Sequence, residues 1–183
     1  MLVANAKQAL ATIAVMACLL GTSVEALAAA PMAGPRLSVP SVQQVPERCG
    51  PAALEMVLRY YGADEAQATE GASAYDPILR GSLITDLAAA ARRAGFDAEV
   101  GTLTLDSLVA ELAAGVPPIV LYQNGRAPLT VPHFAVLTGW DPRREVFTLN
   151  EGKAVPRVMA RADLARRWRT AGSLALLIRR RVP

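Results

Sequence analysis

The stretch VQQVPERCGPAALEMVLRYYG, residues 42–62, decides the fold. Ala52, Ala53, Leu54, Met56, Val57, Leu58 and Tyr61 recur at helical spacing, and Gly62 is a stop signal. Pro51 suits the first turn, where its missing N–H would have no partner in any case. The helix therefore begins at Cys49-Gly50-Pro51, ahead of an apolar face that must be buried. A lone cysteine more often packs as a small inert hydrophobe. At a helix N-terminus, however, it lies beside unpaired N–H groups that favour thiolate over thiol. The spacing predicts a core helix with one reactive group at its tip.

Outward from this helix the chain reads as one α+β domain. Residues 63–81 are small and polar, an excursion without a period. A second helix is expected from Ser82, as N-cap, to Ala94, with Gly95 closing it. Phe96–Val100 reads as a strand. Leu105–Ala114 reads as a helix between Thr104 and Gly115, and Pro118–Tyr122 as a buried strand. The segment QNGRAPLTVP, 123–132, reads as a loop that delivers the chain to a strand from His133 to Trp140. A turn at Asp141–Arg144, a partner strand Glu145–Leu149, a short helix Ala162–Arg169 and a closing strand Leu174–Ile178 complete the pattern. Helices come early and strands pair late, which implies a helical layer on an antiparallel sheet.

The first 29 residues have the form of a signal peptide. Lys7 precedes a short apolar core, and VEALAAA supplies small residues for cleavage after Ala28 or Ala29. The protein is accordingly expected to be exported, to the periplasm or the medium. The alternative is a lipoprotein tethered to the membrane through Cys18. Residues 30–41 are proline-rich and read as an extended lead-in, leaving 42–183 as the folded domain. With 19 Lys and Arg against 16 Asp and Glu, the net charge of +3 comes largely from arginines near the C-terminus. They lack the interleaved aromatic platform of a nucleic-acid binder, so no nucleic-acid partner is expected and the arginines read as solvated.

The chemistry narrows by elimination. The chain has one histidine, His133, and past the signal segment one cysteine, Cys49. That is too few for a His/Cys zinc site, and the phosphate-binding and nucleophilic-serine motifs are missing. No metal and no cofactor are expected. Thiol chemistry remains, with His133 as the available base. A thiolate attacking a carbonyl also needs donors for the oxyanion. A side-chain amide just upstream suits this, and Gln43 and Gln44 both qualify by position.

Gln43-x5-Cys49-Gly50-Pro51-Ala52-Ala53-Leu54, together with His133-Phe134-Ala135-Val136-x2-Gly139-Trp140-Asp141, resembles the bacteriocin-processing, double-glycine type of cysteine peptidase domain, a branch of the papain-like enzymes. The resemblance spans most of residues 38–152. It implies a papain-like fold, hydrolysis of peptide bonds through an acyl-thioester on Cys49, and His133 as general base and later acid. It favours Gln43 over Gln44 for the oxyanion. The residue that orients the histidine is expected at the end of the next strand, where the chain reads Thr148-Leu149-Asn150-Glu151-Gly152. The chain departs there from the family's common Asn-Asp-Pro; Asn150 is expected to fill the role, because an amide can orient an imidazole, with Glu151 as the alternative if the register shifts by one. The partner implied is a peptide or protein substrate. The competing reading is a relative on the same fold that binds peptides in the cell envelope without hydrolysing them, or that transfers the acyl group.

Overall fold

The computed structural model describes residues 34–126 and 128–181; the expected signal segment and Cys18 lie outside them. The first helix among the described residues is α1 (Cys49–Tyr60), followed by a short α2 (Glu65–Thr69) that runs into a 3-10 turn (Glu70–Ala74). Next come α3 (Ile84–Arg93), β1 (Phe96–Thr102), α4 (Leu105–Ala113), β2 (Ile119–Arg126) and β3 (Leu129–Asp141). The remainder is β4 (Val146–Asn150), β5 (Arg157–Ala160), α5 (Arg161–Arg169) and β6 (Leu174–Arg180). The six strands form one antiparallel sheet in the order β1-β6-β2-β3-β4-β5.

The sheet is buried on both faces, which is why its central strand lacks the alternation of a half-solvated one. From β3, Phe134 and Val136 enter one core with Leu54, Met56, Val57 and Leu58 of α1 and Leu87 and Ala91 of α3. Ala135 and Leu137 enter the other, with Leu108 and Leu112 of α4 and Leu164 and Trp168 of α5. The four apolar residues of α1 are fully buried. Each such side chain stabilises the fold by about 1.5–3 kcal/mol relative to an exposed one, enough to override the poor helical start at Cys49-Gly50-Pro51. A bulge between Leu137 and Gly139 shifts the pleat by one residue, so Trp140 returns to the second core, against Phe147.

Several expectations are corrected. Residues 123–126 and 129–132 are not a loop but an extension of the β2–β3 hairpin, paired from Gln123↔Pro132 to Arg126↔Leu129. Tertiary contacts hold this polar ribbon: Arg167 of α5 donates to the carbonyls of Gln123 and Gly125 at 3.1 and 2.7 Å. Ser82 does not cap α3, whose N-cap is Leu83. Its side chain turns instead to α1, where its Cβ and Oγ lie 3.0 and 3.1 Å from the place a Cβ on Gly50 would occupy. The excursion 63–81 is partly helical, and α2 begins with a capping box between Asp64 and Gln67. Strand β5 has no sequence period; pairing to β4 alone makes it a strand. Finally, the lead-in is already part of the domain from Arg36, which bridges to Gly139 while the Leu37 N–H donates to Thr138 O.

Candidate active site

Cys49 occupies the first position of α1, and no side chain caps that end. It is a free, partly buried thiol packed against the core that contains Phe134 and Val136. The turn before it is tied to the excursion. Glu47 pairs with Arg80 and accepts from Tyr75 Oη at 3.1 Å, and the Arg48 guanidinium lies 4.2 Å from the Tyr75 ring centroid. Ile78 and Leu79, just before Arg80 in the chain, are exposed.

The two glutamines part company. Gln43 is exposed and lines a depression of about 180 Å³ between α1 and the segment Ala68–Ala72, with Val45, Arg48, Ala52 and Thr69. Gln44 turns inward, and its Nε2 is buried without a hydrogen-bond partner. A donor sealed from water and left unused costs about 1–3 kcal/mol, so a ligand oxygen at that point would relieve a real penalty. The inward turn depends on Gly152, where a Cβ would fall 2.5 Å from Gln44 Cγ and 2.4 Å from Val42 O, at φ +68°. Gln44 is thus the inward-facing amide of the two and Gln43 the exposed one.

The end of β4 divides its residues in the same way. Asn150 faces the lead-in: its Oδ1 accepts from Ser41 Oγ at 3.2 Å and from Gly152 N–H at 3.0 Å, and its Nδ2 donates to Val39 O and Pro40 O. It is fully occupied there and makes no bond to His133. Glu151, one residue on, has a side chain only 2% exposed, and its Oε1 lies 3.9 Å from His133 Nε2. Tyr122 Oη donates to that same Oε1, as does Arg157 Nη1 at 3.3 Å, while Lys153 Nζ lies 3.2 Å from Oε2. The carboxylate beside the histidine is therefore Glu151, and Asn150 is displaced from that place by its bonds to residues 39–41.

His133 pairs with Tyr122 across β2 and β3, with ring centroids 5.7 Å apart and nearly perpendicular. By the pleat it shares the face of Ala135, while Cys49 begins the helix on the other face. Its Nε2 is buried without a hydrogen bond. Burial pulls its pKa below the ordinary histidine value; Lys153 and Arg157 pull the same way, and Glu151 opposes them. Burial alone would raise Glu151. The bonds from Tyr122 and Lys153 and the charge of His133 outweigh that, holding it below the usual carboxylate range. At neutral pH the site thus contains a neutral imidazole beside a charged carboxylate. Among the described residues no His/Cys/Asp/Glu group is arranged to hold a metal.

Helix α1 with a thiol at its tip, packed on an antiparallel sheet that carries the imidazole and its neighbouring carboxylate, has the layout of a papain-like fold, and no hydrogen bond joins Cys49 to His133 among the described residues. Residues 36–176 match the Peptidase_C39 like family, and the chain belongs to it. Solved structures agree on the fold. A putative C39-like peptidase from Bacillus anthracis aligns at TM-score 0.64 and 19% identity, over 81% of this chain and 98% of its own. A double glycine motif protease from an AMS/PCAT transporter, determined in complex with the leader peptide, aligns at 0.62 and 21%, over 80% and 95%. The peptidase domain of Streptococcus ComA, a bi-functional ABC transporter involved in a quorum sensing pathway, aligns at 0.62 and 19%, over 77% and 98%. A search of curated proteins gives no match.

Proposed function

We propose that this protein is an exported cysteine peptidase that hydrolyses peptide bonds through an acyl-thioester on Cys49. The observation that carries the reading is the uncapped thiol at the tip of α1 in a chain of the Peptidase_C39 like family. On this reading Cys49 Sγ attacks the scissile carbonyl and its proton passes to His133 Nδ1, which requires the thiol and the imidazole, set on opposite faces of β3 in the resting protein, to meet around the substrate. The oxyanion is met by the Cys49 N–H and the Gln44 amide. His133 then protonates the leaving amine, water replaces it, and the same imidazole activates that water to release the acid and regenerate the thiol. Glu151 stabilises the imidazolium. Peptide recognition falls to the segments flanking the site, 75–83 on the thiol side and the hairpin tip with the exposed Leu129 and Val131 on the histidine side. The signal-like start supports export to the periplasm or medium, with Cys18 lipidation as the other route.

One observation favours the second reading, a peptide-binding relative without turnover: His133 Nε2 has no hydrogen bond in the resting site. Alkylation separates the two. On the peptidase reading, Cys49 in the folded protein reacts with iodoacetamide at neutral pH, and His133→Ala slows that reaction at least about tenfold by removing the base. A thiol that reacts only after unfolding, or at a rate indifferent to His133, leaves the binding reading.

The amides make a second test. Gln44→Ala is expected to lower kcat by about 10²-fold, the usual loss on removing one oxyanion donor. Gln43→Ala, at an exposed position, leaves kcat within about twofold. The reverse ranking in a peptide hydrolysis assay would return the oxyanion role to Gln43.

A further inference from the structure

Glu151 Oε1 has two lone pairs, and both already have donors. Tyr122 Oη takes one and Arg157 Nη1 the other, at 3.3 Å. Arg157 is itself fixed, since the same Nη1 bonds Asn124 Oδ1 at 2.9 Å and touches Tyr122 Oη at 3.3 Å. His133 Nε2, at 3.9 Å from this oxygen, is beyond hydrogen-bond reach. The nitrogen is buried without any other partner. So the carboxylate oxygen next to the histidine is already engaged by other donors.

We propose that Tyr122 is a positioning residue that competes with His133 for Glu151 Oε1, holding the carboxylate off the imidazole in the resting protein and releasing it when the imidazolium forms. This rests on the peptidase reading for its purpose but not for its measurement. When Cys49 gives its proton to Nδ1, Nε2–H becomes a charged donor in a dry site. A charge-assisted bond to a carboxylate is about twice as strong as the neutral bond from a phenol, so Glu151 shifts toward His133 and the Tyr122 hydroxyl loses its share of Oε1. Tyr122 is fully buried, and burial together with Glu151 keeps its hydroxyl protonated. It therefore acts only as a donor that lets go. The arrangement withholds the carboxylate from a neutral imidazole, which remains a competent base, and supplies it to the cation. The groups that face His133 and enter this balance are Tyr122 from β2, Glu151 and Lys153 after β4, and Arg157 from β5.

The test is direct because His133 is the only histidine. Its imidazole resonances in the full chain can be titrated by NMR without assignment ambiguity. In Tyr122→Phe the ring remains and the competing donor is gone, so the His133 midpoint should rise by about one pH unit. In the Glu151→Gln background, adding Tyr122→Phe should produce no such rise. In the unmutated protein, the Tyr122 ring carbon that bears the hydroxyl should titrate with the His133 midpoint, a signal that needs no variant to fold. A midpoint that is unmoved or lowered in Tyr122→Phe, a rise that persists without the Glu151 carboxylate, or a Tyr122 signal indifferent to His133 would each overturn the proposal. Absence of peptide hydrolysis in the unmutated protein would instead count against the peptidase reading alone.

Discussion

Replacing Cys49 with alanine is expected to abolish peptide hydrolysis, by about 10⁴-fold or more, while leaving the fold intact. The asymmetry follows from position. Cys49 is the first residue of α1 and only partly buried, so removing its sulfur leaves no cavity in the fully packed part of that helix, which runs from Ala53 through Leu58. The expected stability cost is below about 1.5 kcal/mol, readable as a small change in urea midpoint at constant slope. Serine should do no better than alanine, because a hydroxyl cannot reach the anionic state that the neutral His133 draws from a thiol. Loss of folding and activity together would mean that the cysteine is a packing residue. Retained activity would place the chemistry elsewhere.

Glu151→Gln is the second large effect, and it acts on activity, stability and pH together. The substitution keeps the shape and leaves an amide oxygen for Tyr122, but it removes the charge that Lys153 and Arg157 face and the charge available to the imidazolium. By analogy with replacing a triad carboxylate by its amide, kcat/KM should fall on the order of 10³-fold. The acid limb of the pH profile should move to lower pH, since Glu151 is what raises the His133 pKa against burial.

The stability signs are the same for both groups. Glu151 has a depressed folded pKa, so its contribution is present above its ordinary value near 4.5 and is lost as pH falls through the folded value. His133 is also depressed, so the unfolded chain takes up a proton first and stability declines as pH drops below about 6.5. The unmutated protein should therefore lose stability toward acid in two stages, and Glu151→Gln should lack the lower one. An activity loss below tenfold with an unshifted acid limb would remove Glu151 from the site.

Some of this was legible in the residues. The burial of α1 follows from apolar spacing in a single helix, and Cys49 and His133 are singled out by composition, being the one thiol past the leader-like segment and the one imidazole. Helix α4 follows equally locally, with Thr104 accepting from the Ser107 N–H as N-cap. What local pattern could not supply was direction. Ser82 has the chemistry of an N-cap, yet it turns to fill the space over Gly50. Residues 123–126 and 129–132 have the composition of a loop, yet they pair as a hairpin whose Gln123 and Gly125 carbonyls Arg167 of a distant helix holds.

The same limit divides the site. Spacing along the chain identifies a glutamine upstream of Cys49 and a polar pair after β4, and it cannot say which member of each pair faces inward. Adjacent residues in extended backbone point to opposite sides, and the side is set by what they meet. Gly152 leaves room for Gln44, and the lead-in engages Asn150, which leaves Glu151 to the histidine. The sequence by itself determined the α+β class, the nucleophile helix and the kind of chemistry, because each depends on residue type and local period. Only the tertiary structure decided which member of each pair faces inward, because that depends on long-range packing between segments more than a hundred residues apart.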